Sequence, residues 1–194
     1  MKEVKNCLLH LRLNYNILIL SGPFFLGAIF AGTVENLSSF IWAFILTYVC
    51  LYGGANLYNS YFDKDEGPIG GLEHPPKVEK WMYYFSWALQ IFGMLASFIL
   101  MPTFGMIYLI SIILLWSYSG MYFRFKNKPT ISFIVIGLGT VFNASLSGYF
   151  MAGGEGLPME LIIGSFGASF LILSMYPASQ IYQMEDDRKR GDMT

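Results

Sequence analysis

The sequence predicts an all-α, polytopic transmembrane bundle of about six helices, a single domain over 1–194 with both termini cytoplasmic. Three observations predict it. Of 194 residues, 55% are hydrophobic and 13% charged, against about 25% charged in an ordinary soluble domain. The charges are confined, leaving uncharged stretches from Leu13 to Val34, Asn36 to Phe62, Trp81 to Phe123, Pro129 to Gly154 and Leu161 to Met184. Threading the spans from a cytoplasmic N-terminus then puts all 12 Lys and Arg residues on one side, as the positive-inside rule requires.

Each stretch is long enough for a span of about 20 residues. The first span is expected over 15–32 and the second over 38–58. The stretch from Trp81 to Phe123 is roughly twice what one helix needs. Met101-Pro102-Thr103-Phe104-Gly105 supplies a turn at its middle, so it reads as a hairpin of spans 82–100 and 104–122. Spans over 131–151 and 160–178 complete the set. Gly53, Gly54, Gly137, Gly139 and Gly148 suit close helix packing.

The three opposite loops, near Thr33 to Ser38, Met101 to Gly105 and Ala152 to Met159, carry only Glu35 and Glu155 as charges. A multi-pass protein of the cell (inner or plasma) membrane is expected, with its charged loops cytoplasmic. The net charge of -1, with no basic arm and no zinc spacing, gives no case for a nucleic-acid partner. Cys7 precedes the first span and Cys50 lies within the second, which reads as two plain thiols. No convincing small-residue cleavage site follows Gly27-Ala28, so the first span reads as retained. His10 and His74 stand alone, without metal-ligand spacing.

Two cytoplasmic helix ends carry the polar chemistry. After the second span, Asn59-Ser60-Tyr61-Phe62-Asp63-Lys64-Asp65-Glu66 contains no turn signal before Gly67-Pro68, so the helix is expected to continue into it. Asn59, Asp63 and Glu66 then share a face. At the end of the sixth span Gln180, Gln183 and Asp187 do the same, followed by Arg188-Lys189-Arg190. A carboxylate costs much less at the interface than the roughly 2.5 to 3.5 kcal/mol of the bilayer centre, so solvated charge runs anchoring helix ends are a sufficient account of either segment alone. Two such ends on one side suggest more. Magnesium takes hard oxygen ligands and binds through one or two carboxylates plus substrate phosphates. Acidic helix ends facing across a cavity would therefore hold a lipid diphosphate, with bridging ions drawing charge onto the leaving group.

These residues resemble the UbiA-type intramembrane prenyltransferases, which move an isoprenoid chain from a prenyl diphosphate to an acceptor using magnesium. That family carries two aspartate-rich motifs, after its second and sixth helices. Asn59 and Asp63 match the first, with Gly67 in its third place and Asp65 or Glu66 as the substitute acid. Asp187-Arg188-Lys189-Arg190-Gly191-Asp192-Met193-Thr194 matches the latter half of the second, with Gln183 at the earlier acidic place. A third likeness is the tyrosine–serine pair with following basic residues, here Tyr118-Ser119 and Arg124, Lys126 and Lys128.

The resemblance implies Mg2+ as cofactor, with Asp63, Asp65, Glu66 and Asp187 as its ligands. It implies Tyr118 as the catalytic residue near the reactive allylic carbon, where an aromatic face attracts developing positive charge. Arg12, Asn59, Ser119, Arg124, Lys126, Gln183 and Lys189 are implied as substrate-binding. The partners it implies are a prenyl diphosphate, a lipophilic acceptor, aromatic or otherwise, and the bilayer. Taken without the resemblance, Tyr118 in a chain 18% aromatic is explained by packing or an interfacial belt, and the basic residues by positive-inside anchoring.

The family has about nine helices, so a chain that stops after the second motif is expected to lack the last ones. That keeps open a non-catalytic fragment, or a membrane scaffold or lipid-binding protein derived from the family. A small transporter would place ionisable residues near the bilayer midplane, and these spans place none there.

Overall fold

The computed structural model describes residues 2–64 and 67–181, with side chains through 175. Every element among them is helical, apart from an isolated bridge between Ile69 and Leu72. The chain begins with α1 (Lys2–His10), α2 (Leu13–Ile19) and α3 (Gly22–Ala31). It continues through α4 (Leu37–Asp63), α5 (Lys80–Leu100), α6 (Pro102–Ser119) and α7 (Pro129–Met151) to α8 (Met159–Ile181). The four helices α4 to α7 are each long and apolar enough to cross a membrane. Lys2–Ile19 and Gly22–Ala31 form a fifth candidate, bent by 41°. Met159–Met175 is apolar but shorter.

Local chemistry explains the ends. Asn36 caps α4, its side chain accepting the Ser39 amide at 3.0 Å. Proline opens α6 and α7, where the missing N–H is no loss. The expected five-residue turn at Met101 to Gly105 is tighter than its sequence implied, because Pro102 already begins α6 and Met101 alone connects it to α5. At the other end of the fourth span the helix closes at Ser119, short of the expected 122.

The first span also departs from expectation. It is not one helix over 15–32 but a bent path, with Arg12 at φ 50 between α1 and α2 and Leu20-Ser21 between α2 and α3. The Leu20 carbonyl left open by that break accepts the Tyr48 hydroxyl at 3.1 Å. Other broken ladders are repaired in the same way. Both α4 and α7 contain a π-helical turn, over Leu46–Leu51 and Gly137–Phe142. Side chains of neighbouring elements donate to carbonyls in these turns: Asn16 to Tyr48 at 3.1 Å, Tyr108 to Leu46 at 3.4 Å, and Ser169 to Gly137 at 3.3 Å. Tyr52 reaches across from α4 to the Thr140 carbonyl. Irregular backbone survives in an apolar medium only where such partners exist.

Asn16 is the centre of this repair. Fully buried, its amide donates to both Leu11 and Tyr48 carbonyls, and its oxygen accepts from Asn56 at 2.8 Å. Asn16→Leu orphans these partners, at about 2 to 3 kcal/mol in all. A fall in the thermal midpoint of the detergent-purified protein checks it; an unchanged midpoint would mean that the π turn needs no outside donor.

Packing depends on backbone approach. Gly27 of α3 meets Ser145, and Gly148 of α7 meets Phe24, so closely that an added Cβ would lie 1.9 and 1.8 Å from the facing carbonyl oxygens. An apolar core including Phe24, Phe40, Tyr48, Tyr108, Ile112 and Ala144 is built around this crossing. Cys7 and Cys50 are buried free thiols.

The bundle has two chemically different ends. At one, the Glu35 amide donates to the Ala152 carbonyl at 3.0 Å and Tyr149 donates to the Glu155 carbonyl at 2.7 Å, joining the two acidic loops. The other collects Arg12, Ser60, Asp63, Arg124 and Lys126.

Candidate functional site

The last turns of α4 run past the apolar span to Asp63, where Lys64 in the left-handed conformation (φ 50) closes the helix. Helical spacing then puts Asn56, Asn59 and Asp63 on one face, as the spacing of Asn59 and Asp63 predicts. The end of α6 comes against this face. The buried Ser119 hydroxyl donates to Asn59 Oδ1 at 2.6 Å, which leaves the Asn59 amide nitrogen to point elsewhere. Tyr118 lies half-buried on the same last turn.

The segment after α6 folds back over Asp63. Arg124 adopts φ 38 and begins a short 3-10 turn over Phe125–Asn127, reversing the chain so that Lys126 points inward. The Lys126 ammonium donates to Asp63 Oδ1, with both residues more than nine-tenths buried. One guanidinium nitrogen of Arg124 stands 3.9 Å from the same oxygen. Lys128, by contrast, is exposed.

Arg12 approaches from the other side. Its guanidinium donates to the Ser60 hydroxyl at 2.9 Å, one helical turn before Asp63. Its stem lies across the tight Ile69–Leu72 turn, where Gly70 and Gly71 have positive φ. A Cβ on Gly70 would come within 2.7 Å of Arg12 Cδ, so glycine serves both the turn and the arginine there. Arg12 also lines a groove of ≈ 530 Å³ with Lys5, Leu9, Leu18 and Ile19. His10 fixes the neighbouring connection, its Nε2 donating to the Pro76 carbonyl at 2.7 Å.

The structure thus brings together six of the residues singled out by sequence: Arg12, Asn59, Asp63, Ser119, Arg124 and Lys126. Asp65, Glu66, Gln183, Asp187 and Lys189 lie outside the described residues. Sequence reasoning missed Ser60 and Asn56. Both stand three or four residues from named ones on α4, a spacing that could have found them. An aromatic cluster beneath the site was also not foreseen. Tyr58 of α4, Tyr83 and Trp87 of α5 and Trp116 of α6 pack together, the two indoles with centroids 3.8 Å apart.

Asp63 and Asn59 offer hard oxygens, the donor type that magnesium takes. Among the described residues no three His, Cys, Asp or Glu side chains gather, so these two atoms fit part of a metal site. Arg124 and Lys126 beside Asp63 supply the cationic donors that bind a polyanion.

The family model described as the UbiA prenyltransferase family matches residues 20–194. No curated protein and no solved structure matches the chain.

Proposed function

Since the chain belongs to the UbiA prenyltransferase family, we propose that it transfers a prenyl chain from a prenyl diphosphate to a lipid-soluble acceptor within the membrane, dependent on Mg2+. The observation that carries this reading is the meeting of α4 and α6. Asn59 against Ser119, and Asp63 against Arg124 and Lys126, bring two of the family-like segments to one end of the bundle. The proposed topology has six spans, α8 being the last, with this end cytoplasmic because every Lys and Arg then lies inside.

In the proposed reaction the bond between the allylic carbon and the diphosphate oxygen breaks, and its electron pair leaves with the diphosphate. The acceptor atom bonds to that carbon and gives up a proton. Arg124 and Lys126 take up charge on the departing diphosphate, and Asn59 and Ser119 orient it. The ring of Tyr118 stands beside the allylic carbon as positive charge develops. Arg12 and its groove admit the head group from the leaflet. Asp63, Asp65, Glu66 and Asp187 would hold magnesium, which would supply Lewis-acid stabilisation of the leaving diphosphate. Gln183 and Lys189 contribute further polar contacts to the same head group.

The test uses the full chain in lipid nanodiscs with a radiolabelled prenyl diphosphate. Binding is expected with Mg2+ and lost with EDTA, and label is expected to move onto a lipid-extractable acceptor. Asp187→Ala should weaken binding at least tenfold, about 1.4 kcal/mol. Absence of binding in the presence of Mg2+ overturns the reading. Binding without transfer to any membrane-extracted acceptor favours the lipid-binding scaffold instead.

A further inference from the structure

We propose that His10 is a pH-sensitive latch: its neutral ring ties α1 to the segment joining α4 and α5, and protonation of the ring releases α1, one wall of the groove beside Arg12. The inference concerns the docking of α1 and stands without the prenyl diphosphate reading.

The geometry of the ring carries it. His10 is 1% exposed, and its Nε2 lies 2.7 Å from the carbonyl of Pro76, 66 residues away in the chain. A carbonyl only accepts, so Nε2 carries the proton and Nδ1 of the neutral ring is bare. Nδ1 is buried, with no hydrogen-bond partner among the described residues. The chain is fixed immediately after the latch, where the side chains of Asn16 and Asn56 both donate to the Leu11 carbonyl and Arg12 breaks the helix at φ 50. Before that point little else holds α1. Cys7 packs with Leu57 and Met82, while Lys2 to Lys5, Leu8 and Leu9 are exposed. Lys5, Leu8 and Leu9 line the groove from α1, and Gly70, Gly71 and Leu72 line it from the segment that carries Pro76.

Protonation opposes this docking. It adds a donor at Nδ1 where no acceptor stands, and charges a ring shut away from water. Burial holds the ring below its ordinary pKa; the Pro76 bond works against that, and the Arg12 charge adds to it. Lys77 and Glu79 flank the latch on the facing segment, Cys7 stands one turn earlier on α1 and Lys80 opens α5, but among the described groups Arg12 is the charge that acts on the ring. A released ring returns to water and to its ordinary pKa of about 6.5. The released state therefore takes up a proton that the docked state refuses, so docking has full strength above that pH and weakens as the pH falls below it. A drop from pH 7.5 to 5.5 raises the released fraction about tenfold.

Cys7 reports the release, being 3% exposed while α1 is docked. Its alkylation by N-ethylmaleimide is followed in the full chain in lipid nanodiscs from pH 7.5 to 5.5. Peptide mass spectrometry distinguishes it from Cys50, and each rate is divided by that of N-acetylcysteine at the same pH. The normalised rate in wild type is expected to rise about tenfold. His10→Gln, whose amide still donates to Pro76 but does not titrate, should show no rise. His74→Gln removes the other of the two imidazoles and should respond as wild type does. His10→Ala should react about fivefold faster than wild type at pH 7.5, as loss of one hydrogen bond allows. A flat wild-type rate, an equal rise in His10→Gln, or loss of the response in His74→Gln overturns the proposal.

Discussion

Asp63→Ala is expected to lower Mg2+-dependent binding of a prenyl diphosphate at least 100-fold and to destabilise the protein at the same time. Two costs combine. The proposed metal loses its one described carboxylate, and the Lys126 ammonium, less than 10% exposed, loses the carboxylate oxygen it donates to. Removing one partner of a buried pair costs about 3 to 5 kcal/mol, because the remaining charge has no water to return to. The effects separate experimentally. Asp63→Asn keeps the shape and an acceptor for Lys126, and should recover part of the thermal stability while leaving diphosphate binding poor. Full diphosphate binding by a folded Asp63→Ala protein would remove Asp63 from the site.

Gly148→Val is the second large effect, and it is purely structural. A Cβ there would stand 1.8 Å from the Phe24 carbonyl oxygen and 2.7 Å from its carbon. The obstacle is backbone, so no rotamer change relieves it and α3 must move away from α7. Loss of that contact opens the core around Phe24 and Tyr48, and a cost of about 3 kcal/mol or more is expected. Gly167→Ala is the matched control. It lies on the exposed side of α8 with nothing within 4 Å of the added carbon, and helix propensity alone favours alanine. Thermal unfolding of the three proteins in one detergent checks the comparison, and equal midpoints for wild type and Gly148→Val would sink it.

Part of the site was legible in the sequence because its residues are periodic on a helix that outlasts its apolar stretch. The spacing of Asn59 and Asp63 put them on one face of α4, as they are, but the left-handed Lys64 closes the helix at Asp63, short of the Gly67 at which the sequence placed its first turn signal. Tyr118-Ser119 and the basic residues after it were singled out by the family resemblance alone, and Ser119, Arg124 and Lys126 reach α4. What spacing could not show is the pairing itself. Lys126 and Asp63 are 63 residues apart in the chain, and a lysine anchoring a loop at the interface reads the same as one turned inward. The turn at Arg124 decides between them, through a positive φ that an arginine seldom adopts.

The placement of apolar spans is a property of the chain itself, since transfer of side chains from water to lipid is nearly additive along a helix and needs no partner. That sum determined where α4 to α7 run and which end of the bundle carries its cations. The bend in the first span and the two π turns belong to the tertiary structure alone. Each leaves a backbone carbonyl that must be satisfied from another element, as Asn16, Tyr52, Tyr108 and Ser169 do. Whether such a departure from regular helix is tolerable depends on which side chains stand opposite, and only the assembled bundle brings them there.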